Sequence, residues 1–193
     1  MTSANYLTLL RILMVPLLVL LLLYEFPRLA LAVFLLAGLT DSLDGYIARR
    51  FDQRSELGAI LDPLADKALL TCSFVVMSLP GLEAVIRIPI WLTVVVLSRD
   101  ILLVAAVILV NLTMGRHTFP PSTIGKRTTF AQLLSIFCVL LSNALHWEVP
   151  GIQAVFVLTL ALTVTSGLHY LSRGWKLIDF EQAVKKPQDT KDA

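Results

Sequence analysis

Charged residues are scarce in this chain. They make up 16% of its 193 residues, whereas hydrophobic residues make up 56% and the mean hydropathy is +0.78. A soluble globular domain usually has about 25% charged and 45–50% apolar residues. The balance favours a membrane protein and excludes a soluble nucleic-acid-binding protein, a disordered tail and a secreted disulfide scaffold. The formal net charge of +2 is too small to indicate a polyanionic partner.

Cysteine and histidine are also few. The two cysteines, Cys72 and Cys138, lie inside long apolar runs, which is typical of small buried hydrophobic side chains. They carry no information about the redox compartment. The three histidines, His117, His146 and His169, are scattered without the spacing of a zinc site.

Long apolar runs are abundant. About 20 apolar residues suffice to cross a bilayer as an α-helix, and six such runs occur, with proline or glycine near most of their junctions. The sequence therefore predicts an all-α, polytopic membrane protein with six transmembrane helices. The predicted spans are 6–24, 30–50, 57–79, 88–112, 128–145 and 151–170.

The basic residues are distributed unevenly between the predicted loops. Eleven lie at the end of span two, in the loops after spans two and four, or in the C-terminal tail, two lie in the opposite loops, and three lie elsewhere inside spans. The positive-inside rule then predicts that both termini are cytoplasmic. After about Asp179 the composition becomes polar, so we expect one transmembrane domain over 1–178 and a solvated tail over 179–193.

Five aspartates lie in or at the ends of these apolar spans, although a charge inside a bilayer costs at least about 2.5–3.5 kcal/mol. Four of them fall within 26 residues, as two pairs with helical spacing on consecutive spans. Members of each pair share a helix face, and a short loop makes the two helices antiparallel neighbours. We therefore expect four carboxylates to meet near the cytoplasmic end of the bundle: Asp41, Asp44, Asp62 and Asp66.

Four carboxylates at such close range require protonation or a multivalent cation. Carboxylate oxygens suit Mg²⁺, Mn²⁺ or Ca²⁺, and four of them can hold two ions for in-line phosphoryl displacement. The small residues Gly45, Ala48 and Gly58 share the aspartate faces, where they leave room for a phosphate ligand or allow close helix packing. The alternative for the aspartates is salt bridging to basic residues, namely Arg49, Lys67 or Arg99.

The segment from Asp41 to Asp66 resembles the signature of the CDP-alcohol phosphatidyltransferase family, D-x₂-D-G-x₂-A-R-x₈-G-x₃-D-x₃-D. All eight fixed positions match, at every spacing: Asp41, Asp44, Gly45, Ala48, Arg49, Gly58, Asp62 and Asp66. The six-span layout is similar too, so the resemblance covers nearly the whole chain apart from the tail.

The resemblance implies roles for these residues. The aspartates would bind two divalent ions, Mg²⁺ or Mn²⁺, which hold the pyrophosphate of CDP-diacylglycerol. Asp66 would deprotonate the acceptor hydroxyl, which attacks the β-phosphorus and releases CMP. The residues implied to bind the CDP group are Gly45, Ala48, Arg49 and Gly58. The resemblance also implies a homodimer.

The acceptor is indicated by two other segments. The run from Asn5 to Arg11 resembles the N-x-L-T-x-x-R opening of the branch that makes phosphatidylglycerophosphate or cardiolipin. Residues 125–132 resemble G-K-x-K-T-x-x-Q, but threonine stands at 128 where a second lysine is expected. We expect glycerol 3-phosphate as acceptor, because lysine and arginine clamp phosphate groups. The expected acceptor-binding residues are Arg99, Lys126 and Arg127.

Alternatives stay open at several points. Phosphatidylglycerol is the rival acceptor, and a cation transporter is a remote alternative function. Arg99 could instead form a salt bridge with a neighbouring carboxylate, and Lys126 and Arg127 could reflect topology alone. No transit segment rich in arginine and serine precedes the first span, so we expect a bacterial cytoplasmic membrane with the active site facing the cytoplasm.

Overall fold

The computed structural model describes the backbone of residues 3–51, 56–114 and 123–185, and side-chain surroundings for 9–41, 61, 63–106, 108, 123–170 and 172. Within these residues the chain forms six α-helices and no β-strand, so the all-α prediction is confirmed. The helices are α1 (Ser3–Leu23), α2 (Pro27–Phe51), α3 (Glu56–Ser78), α4 (Ile90–Met114), α5 (Thr123–Leu145) and α6 (Ile152–Lys185).

Two ends differ clearly from the predicted spans. Helix α5 begins at Thr123 rather than 128, so Lys126 and Arg127 lie inside it, not before it. Helix α6 continues to Lys185, past the predicted end of span six at 170. Hydropathy marks where apolar residues stop, whereas a helix can continue through polar residues. In α6, for example, no proline stands between 152 and 186.

Two of the described segments are long and apolar enough to cross a membrane, Thr123–Leu145 and Ile152–Tyr170, and a shorter apolar stretch covers Leu9–Leu23. Six membrane spans stay a prediction. The exposed surface is nevertheless rich in large apolar side chains. On α1, Leu13, Leu17 and Leu20 are 46–64% exposed and lie on one face, as lipid-facing residues would.

The opposite face of α1 is buried and carries a charge. Arg11, Val15 and Leu18 follow the spacing of one helix face and are at most 8% exposed. The charged residue therefore lies on the buried face while leucines lie on the exposed face. A soluble amphipathic helix places its charged residues on the exposed face instead. Helix α1 packs against both α2 and α3, so the buried face of α1 meets these two helices.

Helices α2 and α3 each carry an aspartate in line with buried residues of the same helix. On α2, Ala30, Phe34 and Ala37 are buried, and Asp41 follows one turn later on the same face. On α3, Asp66 shares its face with buried Leu70, Ser73 and Met77. Among the residues whose side chains are described, each aspartate thus lies in line with buried residues of its own helix.

Side-chain hydrogen bonds join α5 to the connection between α3 and α4 and to the start of α2. Asn143 accepts a hydrogen bond from the backbone N–H of Ile86 at 3.0 Å and donates one to its carbonyl at 3.1 Å. Arg28, at the start of α2, donates from Nε to the carbonyl of Ala144 at 3.2 Å. These bonds satisfy backbone groups that no helix ladder pairs.

The chain divides into two compact units, Met1–Thr93 with Gln132–Phe156, and Val94–Ala131 with Val157–Ala193. In the second unit small hydroxyl side chains join α5 to α6. Thr159 donates to the carbonyl of Ala131 at 3.1 Å, and Thr128 Oγ1 lies 3.1 Å from the carbonyl oxygen of Leu162. Such short polar side chains let membrane helices approach closely. The single domain over 1–178 and its tail stay predictions.

Candidate active site

Two of the predicted aspartates meet in the first unit, at the side chain of an arginine. Arg11 Nη1 lies 3.0 Å from Asp41 Oδ1 and 3.0 Å from Asp66 Oδ1. One donor nitrogen thus bridges carboxylates from α2 and α3, and these two oxygens can be no more than about 6 Å apart. The structure thus brings these two aspartates together at Arg11, in ion pairs of the kind that the salt-bridge alternative expects, and the cluster of four carboxylates stays a prediction.

Helix length explains why these three residues meet. Arg11 lies eight residues after the start of α1, Asp41 ten residues before the end of α2, and Asp66 ten residues after the start of α3. At 1.5 Å per residue, all three lie about 12–15 Å along their helices from these ends. Short connections make successive helices antiparallel, so the three ends lie on the same side.

The three side chains differ in exposure. The side chain of Arg11 is 1% exposed, whereas those of Asp41 and Asp66 are 52% and 47% exposed. The guanidinium therefore approaches the carboxylates from inside the protein, and the carboxylates open towards the surface. This arrangement gives a soluble or membrane-held ligand access to the aspartates but not to Arg11.

The other signature residues lie on the same two helices. Asp44, Gly45, Ala48 and Arg49 follow Asp41 on α2, and Gly58 and Asp62 precede Asp66 on α3. Their side-chain surroundings are outside the described residues, so their predicted roles in binding metal or CDP stay predictions. Among the side chains that are described, no three or more His, Cys, Asp or Glu residues form a group that could hold a metal ion.

Arg99 is held between α4 and α6 in the second unit. Its Nη1 donates to Asp100 Oδ1 at 2.7 Å and its Nη2 to Ser166 Oγ at 2.7 Å. The guanidinium carbon lies 5.8 Å from the centre of the Tyr170 ring, within the range of a cation–π interaction. Arg99 is 6% exposed. These contacts are those expected from the salt-bridge alternative, and the acceptor-binding role stays a prediction.

Lys126 and Arg127, also in the second unit, have a different environment. Both are exposed and lie near the start of α5. Thr128, which follows them, is fully buried, and its hydroxyl lies 2.9 Å from the carbonyl oxygen of Ile124 as well as near Leu162 of α6. The residue that departs from the basic pattern thus belongs to a helix interface, and the two basic residues before it are accessible.

Comparison with known proteins agrees with the signature. The family model described as CDP-alcohol phosphatidyltransferase matches residues 1–165. The chain belongs to this family. It is therefore a phosphatidyltransferase, as the sequence predicted, and the family is membrane-embedded.

Individual relatives of this phosphatidyltransferase carry two kinds of name. It is 35% identical over 178 residues to the probable phosphatidylglycerophosphate synthase of Mycobacterium tuberculosis, with 88% of this chain and 80% of the relative covered. It is 32% identical over 173 residues to the CDP-diacylglycerol--glycerol-3-phosphate 3-phosphatidyltransferase of Rickettsia bellii, covering 86% and 91%. It is 35% identical over 194 residues to human CMP-forming cardiolipin synthase, covering 92% of this chain but 63% of that protein.

Arg11 is the member of the site that sequence reasoning missed. It is the last residue of the opening N-x-L-T-x-x-R pattern and a charge inside span one, but the sequence predicts no role for it. A signal was available: an arginine in an apolar span needs a partner or a function, and it shares a face with residues 15 and 18. The partner could not be identified, since Asp66 is 55 positions away.

Asp41 and Asp66 are the described residues of this phosphatidyltransferase that could hold a divalent cation. Asp41 and Asp66 offer carboxylate oxygens from two helices to one point, and that point already accommodates a cationic nitrogen at 3.0 Å from each. Hard divalent ions such as Mg²⁺ prefer oxygen ligands of this kind. The half-exposed carboxylates also leave a route for an ion to enter.

Proposed function

We propose that this phosphatidyltransferase uses CDP-diacylglycerol as donor and glycerol 3-phosphate as acceptor, and forms phosphatidylglycerophosphate and CMP. The acceptor oxygen forms a bond to the β-phosphorus, and the bond from that phosphorus to the bridging oxygen breaks. The bridging oxygen leaves with CMP, and the acceptor's proton passes to a carboxylate. One observation carries the reaction class: residues 1–165 match the CDP-alcohol phosphatidyltransferase family. The ion pairs of Asp41 and Asp66 with Arg11 support the location of the site.

Asp66 is the proposed general base. Its carboxylate is half-exposed, so a hydroxyl group can reach it, and a positioned carboxylate typically contributes about 10²–10⁴-fold to proton transfer. Gly45, Ala48, Arg49 and Gly58 are the proposed CDP-binding residues. Asp41, Asp44, Asp62 and Asp66 would hold two divalent ions, Mg²⁺ or Mn²⁺, which when bound supply charge stabilisation to the pyrophosphate.

Glycerol 3-phosphate is favoured as acceptor by two considerations. The relatives named for phosphatidylglycerophosphate synthesis are matched over most of their own length, 80% and 91%. The exposed pair Lys126 and Arg127 offers cations to a phosphate monoester. We also propose Arg99 as an acceptor-binding residue, although its guanidinium nitrogens already engage Asp100 and Ser166.

Phosphatidylglycerol is the second candidate acceptor, and the product would then be cardiolipin. This alternative is supported by the human cardiolipin synthase, which is as similar to the chain in identity, at 35%, as the mycobacterial relative. The buried threonine at 128 also removes one cation from the pattern expected for glycerol 3-phosphate binding.

The membrane arrangement is part of the same proposal. Six transmembrane helices are supported by the six apolar runs, and cytoplasmic termini with an active site facing the cytoplasm are supported by the loop charges. Such a site meets water-soluble nucleotide and membrane-held diacylglycerol together. A bacterial inner membrane is supported by the bacterial relatives, and a homodimer by the family resemblance.

The test offers each acceptor separately to the purified protein in detergent micelles with CDP-diacylglycerol and Mg²⁺. We expect CMP release with glycerol 3-phosphate and a lipid product with the mass of phosphatidylglycerophosphate, and loss of both in EDTA. Cardiolipin formed only from phosphatidylglycerol would select the alternative acceptor. If neither acceptor leads to CMP release, the proposal is overturned. Full activity in EDTA would overturn the metal site.

A further inference from the structure

The cation that contacts both Asp41 and Asp66 is the guanidinium of Arg11. Arg11 is 1% exposed, and it is positioned by the packing of α1 against α2 and α3. A guanidinium stays charged at every pH at which a protein folds. The site therefore contains a permanent positive charge at the point where carboxylates of α2 and α3 converge.

The same two oxygens are the proposed ligands of a divalent ion. Asp41 Oδ1 and Asp66 Oδ1 each lie 3.0 Å from Arg11 Nη1, and a Mg²⁺ ion would need such oxygens at about 2.0–2.1 Å. Arginine and metal ion thus compete for one pair of negative charges. In the absence of metal, the guanidinium offsets the mutual repulsion of these carboxylates.

We propose that Arg11 is a positioning residue that holds Asp41 and Asp66 together in the metal-free enzyme and releases them when divalent ions bind. This inference rests on the proposed metal site. A divalent ion carries twice the charge of the guanidinium and binds the oxygens more closely, so Coulomb attraction favours the exchange. Arg11 then lowers the affinity for metal, because a metal ion that binds must displace the contacts of Arg11 with Asp41 and Asp66.

The experiment measures Mn²⁺ binding by electron paramagnetic resonance on the full-length protein in detergent micelles. Arg11→Gln is expected to bind Mn²⁺ about tenfold more tightly than the unchanged protein, because the competing charge is gone. Arg11→Lys keeps the charge and should stay within about threefold. Arg28→Gln is the matched control: Arg28 belongs to the same unit, 13 residues before Asp41 on α2, and should leave the affinity unchanged.

Thermal unfolding supplies a second readout. In EDTA, Arg11→Gln should unfold at a lower temperature than the unchanged protein, and Mn²⁺ should raise its Tm by more than it raises that of the unchanged protein. In EDTA, the fall in Tm caused by Arg11→Gln should be smaller when Asp41→Asn is present as well, since one of the repelling charges is then absent. A residue that only packs α1 against its neighbours would not tighten metal binding when it is changed.

The outcomes separate this inference from the proposed function. Equal or weaker Mn²⁺ binding by Arg11→Gln, when the unchanged protein binds, overturns the exchange alone. Failure of the unchanged protein to bind Mn²⁺ overturns the metal site of the proposed function and the exchange with it. If Arg11→Gln does not fold, Arg11→Lys decides: a change in its Mn²⁺ affinity of more than about threefold overturns the inference.

Discussion

Arg11 and Asp66 are 55 residues apart in the sequence and lie on different helices, yet Arg11 Nη1 donates a hydrogen bond to Asp66 Oδ1 at 3.0 Å. The arginine is buried and the carboxylate is half-exposed. This contact joins the opening segment of the chain to the last aspartate of the family signature. It makes the first helix part of the candidate active site.

The first prediction concerns Asp66. Asp66→Asn keeps the size of the side chain but removes its ability to accept a proton as a base, so we expect kcat for CMP release to fall by about 100-fold or more. The measurement is CMP release from CDP-diacylglycerol at saturating acceptor. Glu83→Gln is the control, since Glu83 is an exposed acidic residue in the connection between α3 and α4. Unchanged kcat in Asp66→Asn would contradict the assigned role.

Sequence reasoning captured most of the helical layout, and the reason is physical. Apolar runs punctuated by proline and glycine define the helices in a chain whose interior and lipid-facing surface are both apolar. Helix α2 begins at Pro27, one of the junction residues, and α6 begins directly after Gly151, whose φ of +81° favours glycine. The ends that differed are polar, where hydropathy gives no signal.

The candidate site was captured only in part. The pairing of Asp41 with Asp66 followed from local spacing and a short connection, both of which can be read along the chain. The contribution of Arg11 could not be read in this way, because it depends on which face of α1 packs against α2 and α3. Similarly, the sequence left two roles open for Arg99, and the partner Ser166 on α6 was not foreseen.

The second prediction concerns the acceptor. The double variant Lys126→Gln with Arg127→Gln removes two exposed cations. If they bind the phosphate of glycerol 3-phosphate, the KM for that acceptor should rise about tenfold or more, because charge-assisted hydrogen bonds of about 1.5–3 kcal/mol are lost, while the KM for CDP-diacylglycerol stays the same. Arg87→Gln, an exposed basic control after α3, should change neither. An unchanged KM would indicate that these residues serve topology alone.

The third prediction separates the two roles of Arg99. Its ion pair with Asp100 is largely buried, with side chains 6% and 13% exposed. Removing one partner of a buried pair costs about 3–5 kcal/mol, so Arg99→Gln should lower the stability measured by thermal unfolding in detergent. Adding Asp100→Asn should recover part of the loss. A rise in the KM for the acceptor with unchanged thermal stability would instead support the acceptor-binding role.

The fourth prediction concerns the departure from the basic pattern at Thr128. Restoring the expected lysine with Thr128→Lys would force a charge into a fully buried position between α5 and α6, where the threonine hydroxyl now lies near the carbonyl oxygens of Ile124 and Leu162. We expect a loss of about 1–3 kcal/mol in stability, since a larger side chain forced into a well-packed position costs about this much, and no gain in affinity for glycerol 3-phosphate.

Thr123→Lys is the matched control for this change, because Thr123 is exposed on the same helix and should tolerate the charge with little change in Tm. Thermal unfolding and the KM for glycerol 3-phosphate are measured on both variants. A Thr128→Lys protein that is as stable as the control and has a lower KM would mean that position 128 can turn towards the acceptor. Substrate binding would then separate α5 from α6 at position 128. The lysine there would supply the cation that the pattern for glycerol 3-phosphate binding expects.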